Sequence, residues 1–200
     1  MKRVFDIAAA FTGLLFLLPV MIIIAGLIKL DGGSVFFRQE RVGLRGTRFK
    51  IFKFRSMRVD HSQSGTQVTA ESDPRITPLG KLLRRSKLDE LPQLFNVLKG
   101  EMSIVGPRPE VPRYVAVWPE EDRREILSVR PGITDYATLY YRDEQTVLAR
   151  SENPEKTYIQ DIVPHKLGLY RDYVRDQNLG LDMRLILVTL ARMVYRRSRL

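Results

Sequence analysis

The chain has 200 residues and a mass of 23.2 kDa, the size of one domain. It contains no cysteine and only two histidines, which excludes a disulfide scaffold, cysteine-ligated zinc, iron–sulfur clusters and thiol catalysis. With 33 lysines and arginines against 23 aspartates and glutamates the net charge is +10, and the hydrophobic fraction of 44% argues against disorder throughout.

The first predicted element is an apolar segment, residues 7–28, without a single charge. As a helix it would be roughly 33 Å long, enough to cross a hydrocarbon core of about 30 Å. Its apolar residues cover every face, which favours a membrane helix over a buried core helix. A cleaved signal peptide fits poorly, because the apolar run is too long and no small-residue cleavage site follows it.

Basic residues flank this segment on both sides, with Lys2 and Arg3 before it and Lys29 after it. Cationic flanks prefer the cytoplasmic side, so a helix that bends at Pro19 and returns would keep both flanks in the cytoplasm. A single span with a mild proline kink is the alternative, since membrane helices tolerate proline. We predict a re-entrant, helix–break–helix membrane segment over residues 1–30.

Residues 31–200 are predicted to form a compact α+β domain that is mostly helical. Residues 34–40 and 47–54 are rich in aromatic and β-branched residues, and the glycine-containing stretch 43–46 between them predicts a β-hairpin. The polar stretch 60–73 predicts a mobile loop.

Two helices are predicted next. Thr77 as N-cap and Pro78 at the first helical position indicate the start of one helix. A second helix is predicted over residues 89–99, because Pro92 fits only in a first turn and Gly100 is a typical helix end.

The second half of the domain gives weaker signals. We predict a short strand over 102–105, an extended proline-rich elbow over 107–109 and a turn at Pro131-Gly132. Pro164 at a first helical position opens a further helix. Residues 181–196 predict an amphipathic helix whose arginine face lies on anionic headgroups, with ordinary packing on the domain as the alternative.

Asp89 and Glu90 are the strongest candidates for chemistry. Two carboxylates at a helix N-terminus face unpaired N–H groups and the positive end of the helix dipole, so in isolation they would be a capping pair. The cations nearby, Lys53, Arg84 and Arg108, instead favour a site that holds a multiply charged phosphate and presents a carboxylate to it. Such a site also suits Mg²⁺, which takes carboxylate and phosphate oxygens.

The chain resembles the bacterial sugar transferases, also called small monotopic phosphoglycosyl transferases, over about residues 1–195. Five stretches in a specific order carry the resemblance: Arg41-Val42-Gly43-Leu44, 49–57 (FKIFKFRSM), 88–98 (LDELPQLFNVL), 102–109 (MSIVGPRP) and 129–134 (VRPGIT). The sequence departs from the common pattern after Gly-Ile-Thr, where Asp135-Tyr136-Ala137-Thr138 replaces Gly-Leu-Ala-Gln. If that region contacts the sugar, the resemblance leaves the identity of the donor sugar open.

The resemblance implies an enzyme that moves a phosphosugar from a UDP-sugar to a polyprenyl phosphate such as undecaprenyl phosphate. The products are polyprenyl diphosphate sugar and UMP, in the first membrane step of glycan assembly. By resemblance Asp89 is the nucleophile that forms a covalent phosphosugar intermediate and lies beside Mg²⁺. Glu90 assists as a base toward the acceptor phosphate, and Lys53, Arg84 and Arg108 contact phosphate or nucleotide.

The resemblance also implies a re-entrant helix broken at Pro19, at the cytoplasmic face of the bacterial inner membrane. Membrane lipids and downstream glycosyltransferases are then expected partners, and nucleic acid is not. The basic composition leaves one alternative, a membrane-anchored lipid- or nucleic-acid-binding module without catalysis. Such a module would tolerate alanine at Asp89 and Glu90.

Overall fold

The computed structural model describes residues 1–58, 73–141 and 144–194, and it is mostly helical. The helices are α1 Lys2–Leu30, α2 Pro78–Ser86, α3 Gln93–Lys99, α4 Pro112–Val115, α5 Glu120–Ile126, α6 Tyr136–Tyr140, α7 Glu144–Ala149, α8 Pro154–Thr157, α9 Val163–Asp176 and α10 Leu179–Val194. The strands are β1 Phe36–Val42, β2 Arg48–Phe54, β3 Ser103–Val105 and β4 Gly132–Thr134. The predicted fold class, mostly helical α+β with a small hairpin, is confirmed.

Helix α1 is long and apolar enough to cross a membrane by length and composition, and it continues through Pro19. One side of it packs on the rest of the protein and buries Ala10, Met21 and Ile28. The opposite side exposes large apolar side chains, with Phe16 75% accessible. The helix therefore has one face toward protein and one apolar face without a protein partner in the described residues.

Both ends of α1 are fastened to the domain. At its start, the Lys2 ammonium lies 2.6 Å from the Asp182 carboxylate, and Arg3 donates to the Leu98 and Met102 carbonyls. At its end, Arg55 donates to the Ile28 carbonyl at 3.1 Å. Since contacts run from the first turn to the last, α1 lies along the domain.

The predicted hairpin is confirmed. Strands β1 and β2 pair antiparallel, from Phe36 opposite Phe54 to Val42 opposite Arg48. The turn contains Arg45 in the left-handed conformation, with φ of 53°. The hairpin carries Lys53 on β2, so it supplies one wall of the site described below.

Helix α2 begins as predicted, because the Gly80 N–H donates to the Thr77 hydroxyl at 2.9 Å. The helix predicted over 89–99 is wrong at its start. Residues Leu88–Glu90 form a separate 3₁₀ turn, and α3 begins only at Gln93, after Pro92. Gly100 ends α3 as predicted, with φ of 86°.

The strand predicted over 102–105 is confirmed as β3, but the turn predicted at Pro131-Gly132 is wrong. Gly132 instead opens β4, which runs parallel to β3 with Ser103 opposite Gly132. A Cβ on Gly132 would lie 2.0 Å from the Gly106 nitrogen, so only glycine allows this close backbone approach.

The predicted helix start at Pro164 is confirmed to within one residue, because α9 begins at Val163 with Pro164 in its first turn, although helical backbone already begins at Pro154. A π-helical turn, Tyr158–Ile162, joins α8 to α9 just before this proline. The wider turn accommodates a residue that lacks an N–H and crowds the preceding turn. The helix predicted over 181–196 is observed as α10, and the predicted loop over 60–73 lies almost entirely outside the described residues.

Candidate active site

The carboxylates of Asp89 and Glu90 lie in the 3₁₀ turn between α2 and α3. Lys87 ends α2 in the left-handed conformation, with φ of 59°, and so redirects the chain just before the pair. Only 6% of Asp89 and 8% of Glu90 is accessible. Two adjacent buried carboxylates need cations or a ligand nearby, because burying an unpaired charge is costly.

Glu90 is fully engaged by two cations. Lys53 donates to Glu90 Oε1 at 2.9 Å, and the Arg108 guanidinium donates to both carboxylate oxygens, at 3.2 Å to Oε2. Burial opposes ionisation of Glu90, but Arg108 and Lys53 outweigh it and hold its pKa well below the usual range. The charge of Glu90 in turn raises the pKa of Arg108. Three of the predicted site residues are thus in direct contact.

Asp89 has a different environment from its neighbour. Burial raises the pKa of its carboxyl, and the adjacent Glu90 charge adds to the effect. Its Oδ1 atom is buried and accepts no hydrogen bond from the described residues. This oxygen is therefore an acceptor left open for a ligand.

Arg84 is half-buried next to the pair and forms no hydrogen bond or ion pair with either carboxylate in the described residues. Burial lowers the pKa of its guanidinium, and the Asp89 charge opposes that shift more than any other group. One terminal nitrogen of Arg84 is buried without a hydrogen-bond acceptor among the described residues. The site thus offers one open acceptor and one open donor.

The donor set fits Mg²⁺ only in part. Among the described residues there is no group of three His, Cys, Asp or Glu side chains that could hold a metal ion. Mg²⁺ commonly takes one or two carboxylates and completes its shell with substrate phosphates and water. Asp89, with its open buried oxygen, suits that arrangement and would be the protein ligand.

Two residues that support the site were not predicted. Asp135 is fully buried and accepts from the backbone N–H groups of Arg108, at 3.1 Å, and Thr138, at 2.6 Å. Arg41 donates to the Pro109 carbonyl at 3.1 Å and to Glu110 at 3.0 Å. Together they hold the proline-rich elbow from two sides. The departure from the family pattern at Asp135 therefore falls on a residue that binds the elbow's backbone.

With the site described, comparison with known proteins identifies the class of protein. The chain matches the bacterial sugar transferase family over residues 1–196 and belongs to this family. It is 42% identical over 198 residues to the UDP-glucose:undecaprenyl-phosphate glucose-1-phosphate transferase of Xanthomonas campestris pv. campestris. It is 38% identical over 204 residues to the undecaprenyl-phosphate glucose phosphotransferase of Komagataeibacter xylinus.

The two relatives are much longer than this chain. The alignments cover 96% and 98% of the chain but only 38% and 36% of those proteins. A relative of similar size is the exopolysaccharide production protein PSS of Rhizobium leguminosarum bv. phaseoli, which is 39% identical over 94% of the chain and 92% of its own length.

Proposed function

We propose that this protein is a phosphoglycosyl transferase that moves a phosphosugar from a UDP-sugar to undecaprenyl or another polyprenyl phosphate. The products are polyprenyl diphosphate sugar, a substrate for downstream glycosyltransferases, and UMP. Family membership and the reactions named for the relatives from Xanthomonas and Komagataeibacter support the general reaction. The observation that carries the proposal is the difference between the two adjacent carboxylates. Glu90 is paired with two cations, whereas a buried oxygen of Asp89 accepts no hydrogen bond from the described residues.

In the proposed first step, an Asp89 oxygen attacks the β-phosphorus of the UDP-sugar. A bond forms between Asp89 and this phosphorus, the bond to the bridging oxygen breaks, and UMP leaves with the electron pair. In the second step, an oxygen of the polyprenyl phosphate attacks the same phosphorus and releases the Asp89 carboxylate. A covalent intermediate divides one difficult transfer into two easier ones.

Lys53, Arg84 and Arg108 are proposed to bind the phosphate oxygens on which charge accumulates during both steps. Arg108 donates one N–H from each terminal nitrogen to Glu90 and keeps its other N–H groups for phosphate oxygens, and Asp135 fixes its backbone. Arg84 has an open buried nitrogen for the same purpose. Asp89 would also hold Mg²⁺, which would supply neutralisation of the diphosphate charge.

We propose a role for Glu90 that differs from the base implied by the family resemblance. A carboxylate held at a low pKa is a weak base, and a phosphate monoester, whose second pKa is about 6, is already largely ionised at neutral pH. We therefore propose that Glu90 positions Lys53 and Arg108. An acidic limb in the pH dependence of kcat/KM that disappears in Glu90→Gln would instead support a base.

We further propose that α1 is a re-entrant segment, bent at Pro19, at the cytoplasmic face of the bacterial inner membrane. Attachment of both ends of α1 to one domain supports this placement, because a helix that crossed the membrane once would carry one of its ends away from that domain. The exposed apolar face of α1 would contact lipid. Because the chain lacks cysteine, single Lys2→Cys and Gly32→Cys variants test the topology: both should react only with a reagent that enters the cytoplasm.

The decisive experiment on the reaction compares Asp89→Asn with a matched control, Asp161→Asn, which changes an exposed carboxylate. UMP release is measured across a panel of UDP-sugars with undecaprenyl phosphate, and the phosphosugar adduct is sought by intact-protein mass spectrometry. Asp89→Asn should lose both turnover and adduct, whereas the control keeps them. Full activity of Asp89→Asn would refute the mechanism and favour the non-catalytic lipid- or nucleic-acid-binding module.

A further inference from the structure

A second basic site lies on the hairpin, on the side away from the carboxylate pair. It is an open cleft of about 350 Å³ between β1, β2 and the end of α3. Side chains alternate across a strand, so Lys53 faces Glu90 while its neighbour Phe52 faces the cleft. The cleft is thus separate from the proposed catalytic site, although both use β2.

The cleft carries an excess of cations. Arg38, Arg48, Lys50 and Lys99 line it, together with two carboxylates. Both carboxylates are already engaged. Glu40 accepts from Arg48 at 3.0 Å, and Glu101 accepts from the Asn96 amide at 2.7 Å. The Asn96 amide does not neutralise Glu101, so the lining of four cations and two carboxylates keeps a net charge of +2, and Arg38, Lys50 and Lys99 form no ion pair in the described part of the chain.

Two of these cations share one aromatic ring. The Arg38 guanidinium lies 4.9 Å and the Lys99 ammonium 4.6 Å from the centre of the Phe52 ring. Contact with an aromatic face stabilises each cation modestly but leaves its N–H groups free for an acceptor. Two cations gathered around one ring add to the positive potential that the cleft offers an anion.

The walls of the cleft are fixed by a buried side chain. Asn96, which is fully buried, accepts from the Phe52 N–H at 3.0 Å and donates to the Lys50 carbonyl at 2.9 Å. These bonds clamp α3 against the edge of β2 and set the distance between Lys99 and the hairpin. The backbone that carries Lys50 and Lys99 is therefore fixed by the fold, while the four cationic side chains themselves are exposed.

The location points to the source of the anion. Leu98, next to Lys99, accepts from Arg3 in the first turn of α1, so the cleft lies beside the start of the apolar helix. This position beside α1 puts the cleft at the level of lipid headgroups, an inference that rests on the membrane placement proposed above. We propose that it binds the phosphate group of an anionic phospholipid, with the cations at its rim holding the headgroup.

The test uses the full chain in detergent, titrated with phosphatidylglycerol or phosphatidylcholine, with bound lipid counted by native mass spectrometry. The Arg38→Gln/Lys99→Gln variant is compared with Arg124→Gln/Lys156→Gln, which removes the same charge from two exposed positions elsewhere. We expect about a tenfold or greater loss of phosphatidylglycerol affinity in the cleft variant and no change in the control variant.

Several results would overturn the proposal. One is equal loss of affinity in both double variants, which would show a general charge effect. Others are unchanged affinity in the cleft variant and equal binding of phosphatidylcholine. If inorganic phosphate alone binds and depends on Arg38 and Lys99 while phosphatidylglycerol does not, the ligand is free phosphate and not lipid. Asp89→Asn should bind phosphatidylglycerol normally, so failure of the proposed reaction and failure of the lipid site are distinguishable.

Discussion

Asp89 and Glu90 are neighbours in the chain, yet replacing each by its amide should change stability in opposite directions. Asp89 has a buried oxygen with no donor in the described residues and a pKa raised by burial and by Glu90. Its charge therefore opposes folding. Glu90 neutralises Lys53 and Arg108, so its charge supports folding. We expect Asp89→Asn to raise the melting temperature and Glu90→Gln to lower it.

The magnitudes follow from the contacts. The amide of Asp89→Asn keeps a buried oxygen without a donor but removes the buried charge. Burying a charge costs more than the about 1–3 kcal/mol of a neutral unsatisfied group, so the variant should be more stable by about 1–2 kcal/mol. Breaking a buried ion pair costs about 3–5 kcal/mol. The Lys53 and Arg108 side chains are 17% and 27% accessible, which places Glu90→Gln at the low end, about 3 kcal/mol. At about 2–4 °C per kcal/mol for a chain of this size, the shifts are about +2 to +8 °C and −6 to −12 °C.

The assay is differential scanning fluorimetry of the full chain in detergent, with a chelator and without substrate, at several pH values. A raised folded-state pKa means that charged Asp89 costs stability above that pKa, and the cost disappears as the pH falls through it. The advantage of Asp89→Asn should therefore shrink in acid. Glu90, with a depressed pKa, contributes stability above its unfolded pKa and loses it as the pH falls through the folded value. Shifts of the same sign in both variants would refute this reasoning.

Three further outcomes are expected. With a UDP-sugar already present, added Mg²⁺ should raise the melting temperature of the wild type further but not that of Asp89→Asn, whereas equal further shifts would contradict Asp89 as the proposed metal ligand. Asp135→Ala should lower kcat about 10- to 100-fold, because it releases the Arg108 backbone, while the KM for UDP-sugar changes little. An unchanged kcat in the UMP-release assay would contradict that role. Asp182→Asn should lower the melting temperature by a few degrees, because it leaves Lys2 at the start of α1 without its charged partner. An unchanged melting temperature in calorimetry would argue against that attachment.

Local signals predicted the elements that local chemistry determines. Thr77 caps α2 through its own hydroxyl, and Gly100 ends α3 because it adopts a positive φ without a Cβ penalty. The hairpin follows from two β-rich runs joined by a short turn. In each case the stabilising contacts lie within a few residues of the signal or directly across a turn.

The features that were wrongly predicted or missed depend on structure beyond the local sequence signal. Gly132 begins a strand only because β3, nearly thirty residues away, supplies its partner, so the proline–glycine pair alone gave a misleading turn signal. Pro164 lies in the first turn of α9 as expected, but the π-helical turn that joins α9 to α8 was not predicted. Asp135 has a typical N-cap pattern, but its bond to the Arg108 backbone depends on the packing of the elbow against α6.

The apolar segment shows why composition alone left its placement open. A helix apolar on every face suits both lipid and a protein core, and α1 combines the two, with Ala10, Met21 and Ile28 against protein and the opposite face exposed. The protein-facing side also carries a buried charged residue, Asp6. This buried residue accepts from the Ser103 hydroxyl and the Ile104 N–H on β3, the strand that leads directly into the Arg108 elbow. A buried carboxylate so bonded fixes α1 to the strand that leads to Arg108, the arginine proposed to bind phosphate. An anchor that served only to hold the protein at a membrane would not require these hydrogen bonds.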